Sequence, residues 1–492
     1  MTETKPDPIT PQRAGTPIQK SLTRIRGLDD ILFGGLPVGR INLISGGPGT
    51  GKTLLAMEFL YRCAEAGEKG LFVSFEERAE DLHANAAAMG FDTGRLEAEG
   101  RLRIVHAAIP RYMVSSGDFD IQGLLAILDG HIRSLSADCI AVDAIDVLMR
   151  VFGDPNRERE ELHALLDWFR NRGLTTVLTA KSDAEGAQRY PFLDYMADCV
   201  IYLDQRFVGQ VRTRRLQVVK YRGSAFLPNE HPYVIGEGGF VFMPISSVSL
   251  ADVALGEPVS SGDSQLDAIL GGGYLRGASV LISGASGAGK TTFACAFIRQ
   301  ACQSGERAIY IGLEQSEEAI LAEMKSVGTD LSPFLTSGHL RILTAMPESA
   351  GVEQHLARFL DGMADFRPHH LVVDAVSACR RMGSRQAAFE FLVRLLTACK
   401  EKGVTCICTN QIDGGGNATR VSGKDIASLM DGLIVLEYAS EEKSIRRRLL
   451  VIKSRGAAHS MIYHPFTITD RGISLDAEAG PVADAKKGVP QS

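Results

Sequence analysis

Short apolar runs without polar alternation recur along the first half of the chain: Ile41–Ser45, Leu71–Phe75, Asp138–Asp143 and Thr175–Thr179. Such runs predict strands buried on both faces, as in a parallel sheet. Between them the period changes. Over Lys52–Ala66, residues Leu54, Leu55, Phe59 and Cys63 recur at helical spacing, which predicts a helix with one apolar stripe. Strands of this kind alternating with helices imply a doubly wound α/β sheet. Cys406 and Cys408 lie one residue apart in a further apolar run. They are expected on one face of a strand, as buried reduced thiols.

The pattern occurs twice. Residues 34–53 read GGLPVGRINLISGGPGTGKT, and residues 271–291 read GGGYLRGASVLISGASGAGKT. Downstream, LFVSFEE (71–77), CIAVDAID (139–146) and KYRGSA (220–225) are answered by AIYIGLEQ (308–315), LVVDAVSA (371–378) and KSRGAA (453–458). The order is the same and the offset stays near about 235 residues. An internal repeat of this kind sets the architecture. It predicts a first domain over 17–246, a linker over 247–259 and a second domain over 260–476. At 492 residues the chain also exceeds the roughly 250–300 residues that one core sustains. The ends, 1–16 and 477–492, are rich in Pro, Ala, Gly and charge without periodicity, and are expected to be disordered.

Composition narrows the partners. The formal net charge is −6, so the overall balance offers no basic face for nucleic acid. Two arginine clusters, Arg212, Arg214 and Arg215 and then Arg446, Arg447 and Arg448, read at this level as charged strand ends. Nine cysteines with no CxxC motif suit a reducing cytoplasm. No apolar run approaches the ~20 residues of a membrane span. A cytoplasmic protein is expected.

The two Gly-rich segments carry the chemistry. Gly46, Gly47, Gly49 and Gly51, with Thr50, form a loop whose backbone N–H groups can curl around phosphates. Lys52 then reaches the β- and γ-phosphates, Thr53 offers its hydroxyl to Mg²⁺, and Leu54 continues into a helix whose positive end faces the same charge. The second copy comprises Gly284, Ser286, Gly287, Ala288, Gly289, Lys290, Thr291 and Thr292. ATP and Mg²⁺ are the expected ligands. The Mg²⁺ partner should be an Asp ending an apolar strand, which selects Asp143 and Asp374, with Asp146 as a further acid. Carboxylates able to handle the attacking water should end the strand after the P-loop helix. Glu76 and Glu77 stand there in the first domain, and Glu314 and Gln315 in the second. The alternative reading of these acids is a favourable charge at a helix N-terminus.

Tandem P-loops, the GLDDILFGGLPVGR segment at 27–40, two carboxylate strands and two KxRG blocks resemble the KaiC family of clock ATPases and autokinases. The resemblance covers about 17 to 476. It implies two tandem RecA-like P-loop domains, each a mostly parallel sheet flanked by helices. It also implies a homohexamer with ATP at subunit interfaces. The groups reaching a neighbour's ATP would be Lys220, Tyr221, Arg222 and Ser224 with Arg214 in the first ring. In the second they would be Lys453, Ser454 and Arg455 with Arg447. Cations supplied in trans stabilise the charge of phosphoryl transfer.

The resemblance further makes the first domain the steady ATPase, with Glu76 and Glu77 as its catalytic pair. In the second, Glu314 would be general base and would lie among the Mg²⁺ ligands, and Ser428 falls at a phosphoacceptor position. Several departures stand out. Ala427 replaces the adjacent phosphoserine, Gln315 the second Glu, Ser422 a nearby threonine, and Phe226 a nucleotide-contacting His. The chain stops soon after its last strand, so regulation by a KaiA-type activator is not expected. A KaiB-like protein or a histidine kinase fits the partner role. Two other readings stay open: a RecA- or RadA-like DNA-dependent ATPase using Gly414–Arg420 as its central loop, and a nucleotide-gated scaffold without kinase activity.

Overall fold

The computed structural model describes residues 18–107, 121–152, 154–182, 192–208, 211–244, 254–412, 424–441 and 444–475. The chain divides into two compact units, the main boundary falling at Ser247/Val248. Each unit contains a nine-stranded sheet.

In the first unit the strands are β1 (Ile41–Gly46), β2 (Gly70–Ser74), β3 (Leu102–His106), β4 (Cys139–Asp143), β5 (Thr175–Lys181), β6 (Cys199–Val208), β7 (Val211–Tyr221), β8 (His231–Gly236) and β9 (Gly239–Phe242). Their order across the sheet is β3-β2-β4-β5-β1-β6-β7-β8-β9. The pairings from β3 to β6 are parallel. The second unit repeats this with β10 (Ser279–Gly284), β11 (Ala308–Gly312), β12 (Leu340–Thr344), β13 (His370–Asp374), β14 (Thr405–Gln411), β15 (Gly432–Glu441), β16 (Ser444–Ser454), β17 (His464–Thr469) and β18 (Gly472–Leu475). The order is β12-β11-β13-β14-β10-β15-β16-β17-β18. Both units are therefore α/β, parallel through the centre and extended on one side by antiparallel strands.

Central strands here carry apolar residues on both faces because both faces are covered. Ile44, Phe72, Ala141, Val177 and Ile201 pack with Leu55, Phe59, Leu60 and Cys63 of the P-loop helix α1 (Lys52–Glu65). Their neighbours Leu43, Val73, Val142 and Leu178 point the other way, toward Leu125, Leu128, Leu162 and Phe169 on the helices at Ile121–Leu135 and Pro155–Asn171. Full burial of side chains of this size contributes about 1.5–3 kcal/mol each.

The predicted boundaries shift by a residue or two. The helix read to Ala66 ends at Glu65, and the strand read over Leu71–Phe75 runs Gly70–Ser74. The strand from Thr175 continues to Lys181, which carries it to the P-loop. Pro258–Val259, within the stretch read as linker, forms a short ladder with Tyr274–Leu275 of the second unit. The segments 1–16, 477–492 and Gly414–Arg420, and Ser422, lie outside the described residues. All nine cysteines are buried and free, with the sulfurs of Cys406 and Cys408 3.8 Å apart. Among the described residues no helix is long and apolar enough to cross a membrane.

Candidate nucleotide sites

Each P-loop leaves the C-terminal end of its central strand and turns directly into a helix. The turn requires glycine at Gly51 and Gly289, where φ is +93° and +104°. Space requires it too. A Cβ at Gly51 would stand 2.8 Å from Ile235 Cδ1 and Phe240 Cζ, and one at Gly289 2.6 Å from Ile468 Cδ1. The antiparallel strands β8, β9 and β17 thus back the loops. Tyr233 adds a hydrogen bond, its hydroxyl donating to Thr50 O at 2.7 Å.

Within the first loop Lys52 Nζ donates to Gly47 O at 2.8 Å, and the Thr50 hydroxyl donates to the same carbonyl at 2.9 Å. Lys290 Nζ donates to Ala285 O at 2.8 Å in the second. The ammonium groups therefore lie inside the curl that would surround a phosphate. Burial lowers the pKa of both lysines, opposed by the nearby Asp143 and Asp374 charges respectively.

The strand-ending aspartates meet the P-loop threonines. Thr53 Oγ1 donates to Asp143, with its oxygens at 3.0 and 3.2 Å, and Thr291 Oγ1 donates to Asp374 Oδ2 at 2.7 Å. Thr179 and Thr409 each donate to the same carboxylates from the adjacent strand. Burial pushes the pKa of Asp143 up, and the two threonine hydrogen bonds pull it partly back. A buried carboxylate beside a hydroxyl is a hard, all-oxygen donor set that suits Mg²⁺. The second site has one more donor: the buried Tyr310 hydroxyl gives a 2.5 Å hydrogen bond to Asp374 Oδ2. In the first unit Phe72 occupies the matching strand position.

Glu76 and Glu77 follow β2, their backbone N–H groups donating to Ser74 Oγ at 3.3 and 2.9 Å. Glu76 forms an ion pair with Lys181, and Asn85 donates to Glu77 at 3.1 Å. Burial raises the pKa of Glu77, and the Asp143 charge adds to the shift. In the second unit Arg381 reaches Glu314 at 3.1 Å and Glu348 at 3.3 Å. Gln315 donates to Glu323 at 3.0 Å. Asp146 is buried, accepts from Lys181 N at 3.2 Å and pairs with Arg150 at 3.2 Å.

The KxRG blocks lie elsewhere. Arg222 N donates to Asp198 O, and the Asp198 carboxylate accepts from Ile41 N at the start of β1. Lys220 Nζ holds the carbonyls of Asp194 and Tyr195 at 2.7 and 3.0 Å, and Arg222 that of Tyr195 at 2.6 Å. Lys453 donates to Met430 O, and Arg455 lies 3.5 Å from Asp431, whose carboxylate accepts from Ser279 N. Both blocks thus sit at the N-terminal end of the P-loop strand, and both P-loops at its C-terminal end. Exposed Ser428, on the helix Lys424–Leu429 just before Met430, shares the block's end of the sheet.

The structure separates the arginines that were grouped with the blocks. Arg447 pairs in register with Tyr438, whose hydroxyl donates to Ser286 O of the P-loop at 3.4 Å. Arg214 is near enough to Tyr233 for its charge to oppose the burial that raises the tyrosine's pKa. Both therefore stand toward their own P-loops, because β7 and β16 run antiparallel to the strands beside them. Tyr221 points inward, its hydroxyl donating to Gly35 O at 2.8 Å, so only its backbone faces outward with the block. Ser224 donates to Ala225 O, and Ser454 ends β16 opposite Gly432. Phe226 packs against the core.

Sequence reasoning passes over Thr179, Thr409, Tyr310, Lys181 and Arg381. The threonines and Lys181 lie on strands that only the sheet order brings beside the P-loop strand. A signal was present nonetheless, in the TxxLTAK and TxICTNQ runs at the same place in each repeat.

Comparison with known proteins adds to the geometry. A family model described as ATPase: KaiC matches residues 22–247 and again 259–479. A circadian clock protein KaiC2 of Synechocystis sp. (strain ATCC 27184 / PCC 6803 / Kazusa) is 37% identical over 460 residues, spanning 93% of this chain and 81% of that protein. The circadian clock oscillator protein KaiC of Synechococcus elongatus is 33% identical over 462 residues, 93% of this chain and 89% of its own. That of Thermostichus vulcanus is 32% identical over 468 residues, 94% and 90% respectively.

Proposed function

This chain belongs to the KaiC family of ATPases, and on that premise we propose that it hydrolyses Mg²⁺-ATP at its first site and phosphorylates Ser428 from its second. The observation that carries the ATP chemistry is the pairing of each P-loop threonine with a strand-ending aspartate, Thr53 with the buried Asp143 and Thr291 with the half-buried Asp374. Mg²⁺ would be held by these oxygens and would neutralise charge on the β- and γ-phosphates.

At the first site Glu76 and Glu77 orient a water and take its proton as its oxygen bonds to the γ-phosphorus. The bond from that phosphorus to the bridging oxygen breaks, leaving ADP and phosphate. Burial and the Asp143 charge raise the pKa of Glu77, which suits it to accept the proton, while Glu76 is paired with Lys181.

Ser428 and the KxRG blocks support action between copies. Ser279 to Gly284 is five steps of β10, about 17 Å, and Ser428 lies beyond the end remote from the P-loop. Phosphoryl transfer needs contact distance, so Ser428 would receive phosphate from another copy's second site, with Glu314 taking the hydroxyl proton. The same argument gives Lys220 and Arg222, and Lys453 and Arg455, to a neighbour's nucleotide. A homohexameric ring meets this requirement, because head-to-tail contacts that close place every block beside the next site. The relatives' names suggest a timing or signalling output, and a KaiB-like protein or histidine kinase as reader.

A second reading has its own support. Gln315 is turned to Glu323 and cannot accept a proton, and Glu314 is held by Arg381. The second site would then bind ATP mainly to assemble the ring, as a nucleotide-gated scaffold. Incubation with Mg²⁺ and γ-labelled ATP separates the two. Label on the protein that Ser428→Ala removes supports the autokinase. Label found only in free phosphate refutes it and leaves the scaffold, and no phosphate release at all refutes the ATPase.

A further inference from the structure

The two sites hold their first carboxylate by different cations, and the difference is reciprocal. In the first unit Gly46 of the P-loop strand pairs across the sheet with Lys181, whose ammonium group forms the ion pair with Glu76. In the second unit Gly284 pairs with Gln411, which has no charge to offer Glu314. There Glu314 is held instead by Arg381, seven residues beyond Asp374. The residue seven beyond Asp143 is Arg150, and it is engaged with Asp146 at 3.2 Å. The position of Asp146 is occupied in the second unit by Ser377, which leaves Arg381 uncommitted there.

One backbone bond is preserved through the exchange. Lys181 N donates to Asp146 Oδ1 at 3.2 Å, and Gln411 N donates to Ser377 Oγ at 3.3 Å. The strand end is thus fixed identically in both units while the charges around it are redistributed. An Asp and a Lys in one unit replace a Ser and a Gln in the other, and the first carboxylate has a cation in both. Stability does not explain this. The Lys181 and Glu76 side chains are 43% and 35% exposed, and ion pairs this exposed contribute little.

We propose that Lys181 is a positioning residue of the first site, holding the Glu76 carboxylate at the end of β2 where it meets the attacking water. Lys181 acts through Glu76, so the inference rests on the reading of Glu76 as a hydrolytic carboxylate. Its ammonium comes from the strand adjoining the P-loop strand, so it fixes Glu76 relative to the loop rather than only to its own segment. In the second unit the same task falls to Arg381, shared with Glu348, on a segment outside the sheet.

The experiment compares Lys181→Gln, Lys181→Arg, Glu76→Gln and the Lys181→Gln/Glu76→Gln pair in the full chain carrying Lys290→Ala to silence the second site. Steady-state phosphate release is measured against ATP concentration. Loss of positioning should lower kcat roughly tenfold with KM for ATP unchanged. Lys181→Arg should restore most of it. The double variant should be no slower than Glu76→Gln alone, since a residue acting through Glu76 has nothing left to act on. Unchanged kcat in Lys181→Gln, a rise in KM alone, or fully additive losses with a slow Glu76→Gln would overturn the Lys181 inference and leave Glu76 in place. Full turnover in Glu76→Gln would instead remove the carboxylate's role, and the Lys181 inference with it.

Discussion

Mixed assembly of two damaged chains tests the placement of Arg222. One set of copies carries Glu76→Gln with Glu77→Gln, so it binds ATP and keeps its arginine. The other carries Arg222→Ala and keeps both carboxylates. Ile41 and Gly46 are five strand steps apart, about 17 Å, with Arg222 at the first end and the P-loop at the second. No arginine side chain bridges that gap, so on the proposed reading Arg222 completes another copy's site. Removal of a trans cation costs ~10³–10⁵ in turnover, so Arg222→Ala alone should be nearly inactive at the first site. The two sets are combined without nucleotide, then given Mg²⁺ and ATP, and phosphate release is followed. With random order around a ring, about one interface in four joins intact carboxylates to an intact arginine. The mixture should therefore recover roughly a quarter of the unmodified rate. A mixture that gives only the mean of its two parents would refute the trans placement, as would full turnover in Arg222→Ala by itself.

Two further outcomes follow from the strand-ending aspartates. Burial holds Asp143 above the usual carboxylate range, so the nucleotide-free folded chain retains its proton more tightly than the unfolded chain. The stability linked to that proton is complete below the unfolded value of about 3.9 and is lost as pH rises through the folded value. Asp143→Asn should therefore raise the melting temperature of nucleotide-free protein at pH 7, with the gain shrinking toward pH 4, while abolishing Mg²⁺-ATP turnover at the first site; a lowered melting temperature at pH 7 would contradict the assignment. Tyr310→Phe removes a charge-assisted hydrogen bond worth about 1.5–3 kcal/mol, and Phe72 shows that a phenyl ring fits there. Calorimetry of the metal-free chain should show the second unit melting lower, by ~2–4 °C for each kcal/mol lost, and an unchanged melt would mean that this bond contributes nothing.

The parts of the site that lie close in sequence were legible. Gly46–Thr53 and Gly284–Thr291 declare themselves, and Asp143 and Asp374 follow because each ends an apolar run in register with a P-loop. The parallel sheet was legible too, since strands such as Ile41–Gly46 carry no polar face. What could not be read is adjacency across the sheet. Lys181 lies 129 residues beyond Lys52 and reaches the site only because β5 pairs with β1. Tyr310 reads as an ordinary core aromatic until its hydroxyl is found on Asp374. Arg214 and Arg447 looked like companions of the KxRG blocks because they are close in sequence, but an extended strand carries them about 20 Å away over six residues.

That strand has a mechanical consequence. β16 carries Arg447 beside its own loop through Tyr438, and Lys453 at its far end beside Met430. It is clamped by a ladder of backbone hydrogen bonds to β15 along most of its length. Apart from one register shift at Ile452, the ladder ties the two ends of this strand to the same neighbour. In a closed ring, the far end of each such strand would stand over the next copy's nucleotide, so the occupancy of one site would be felt as a displacement at its neighbour. Such strands in series around the proposed ring would make it register its nucleotides as a set rather than one by one.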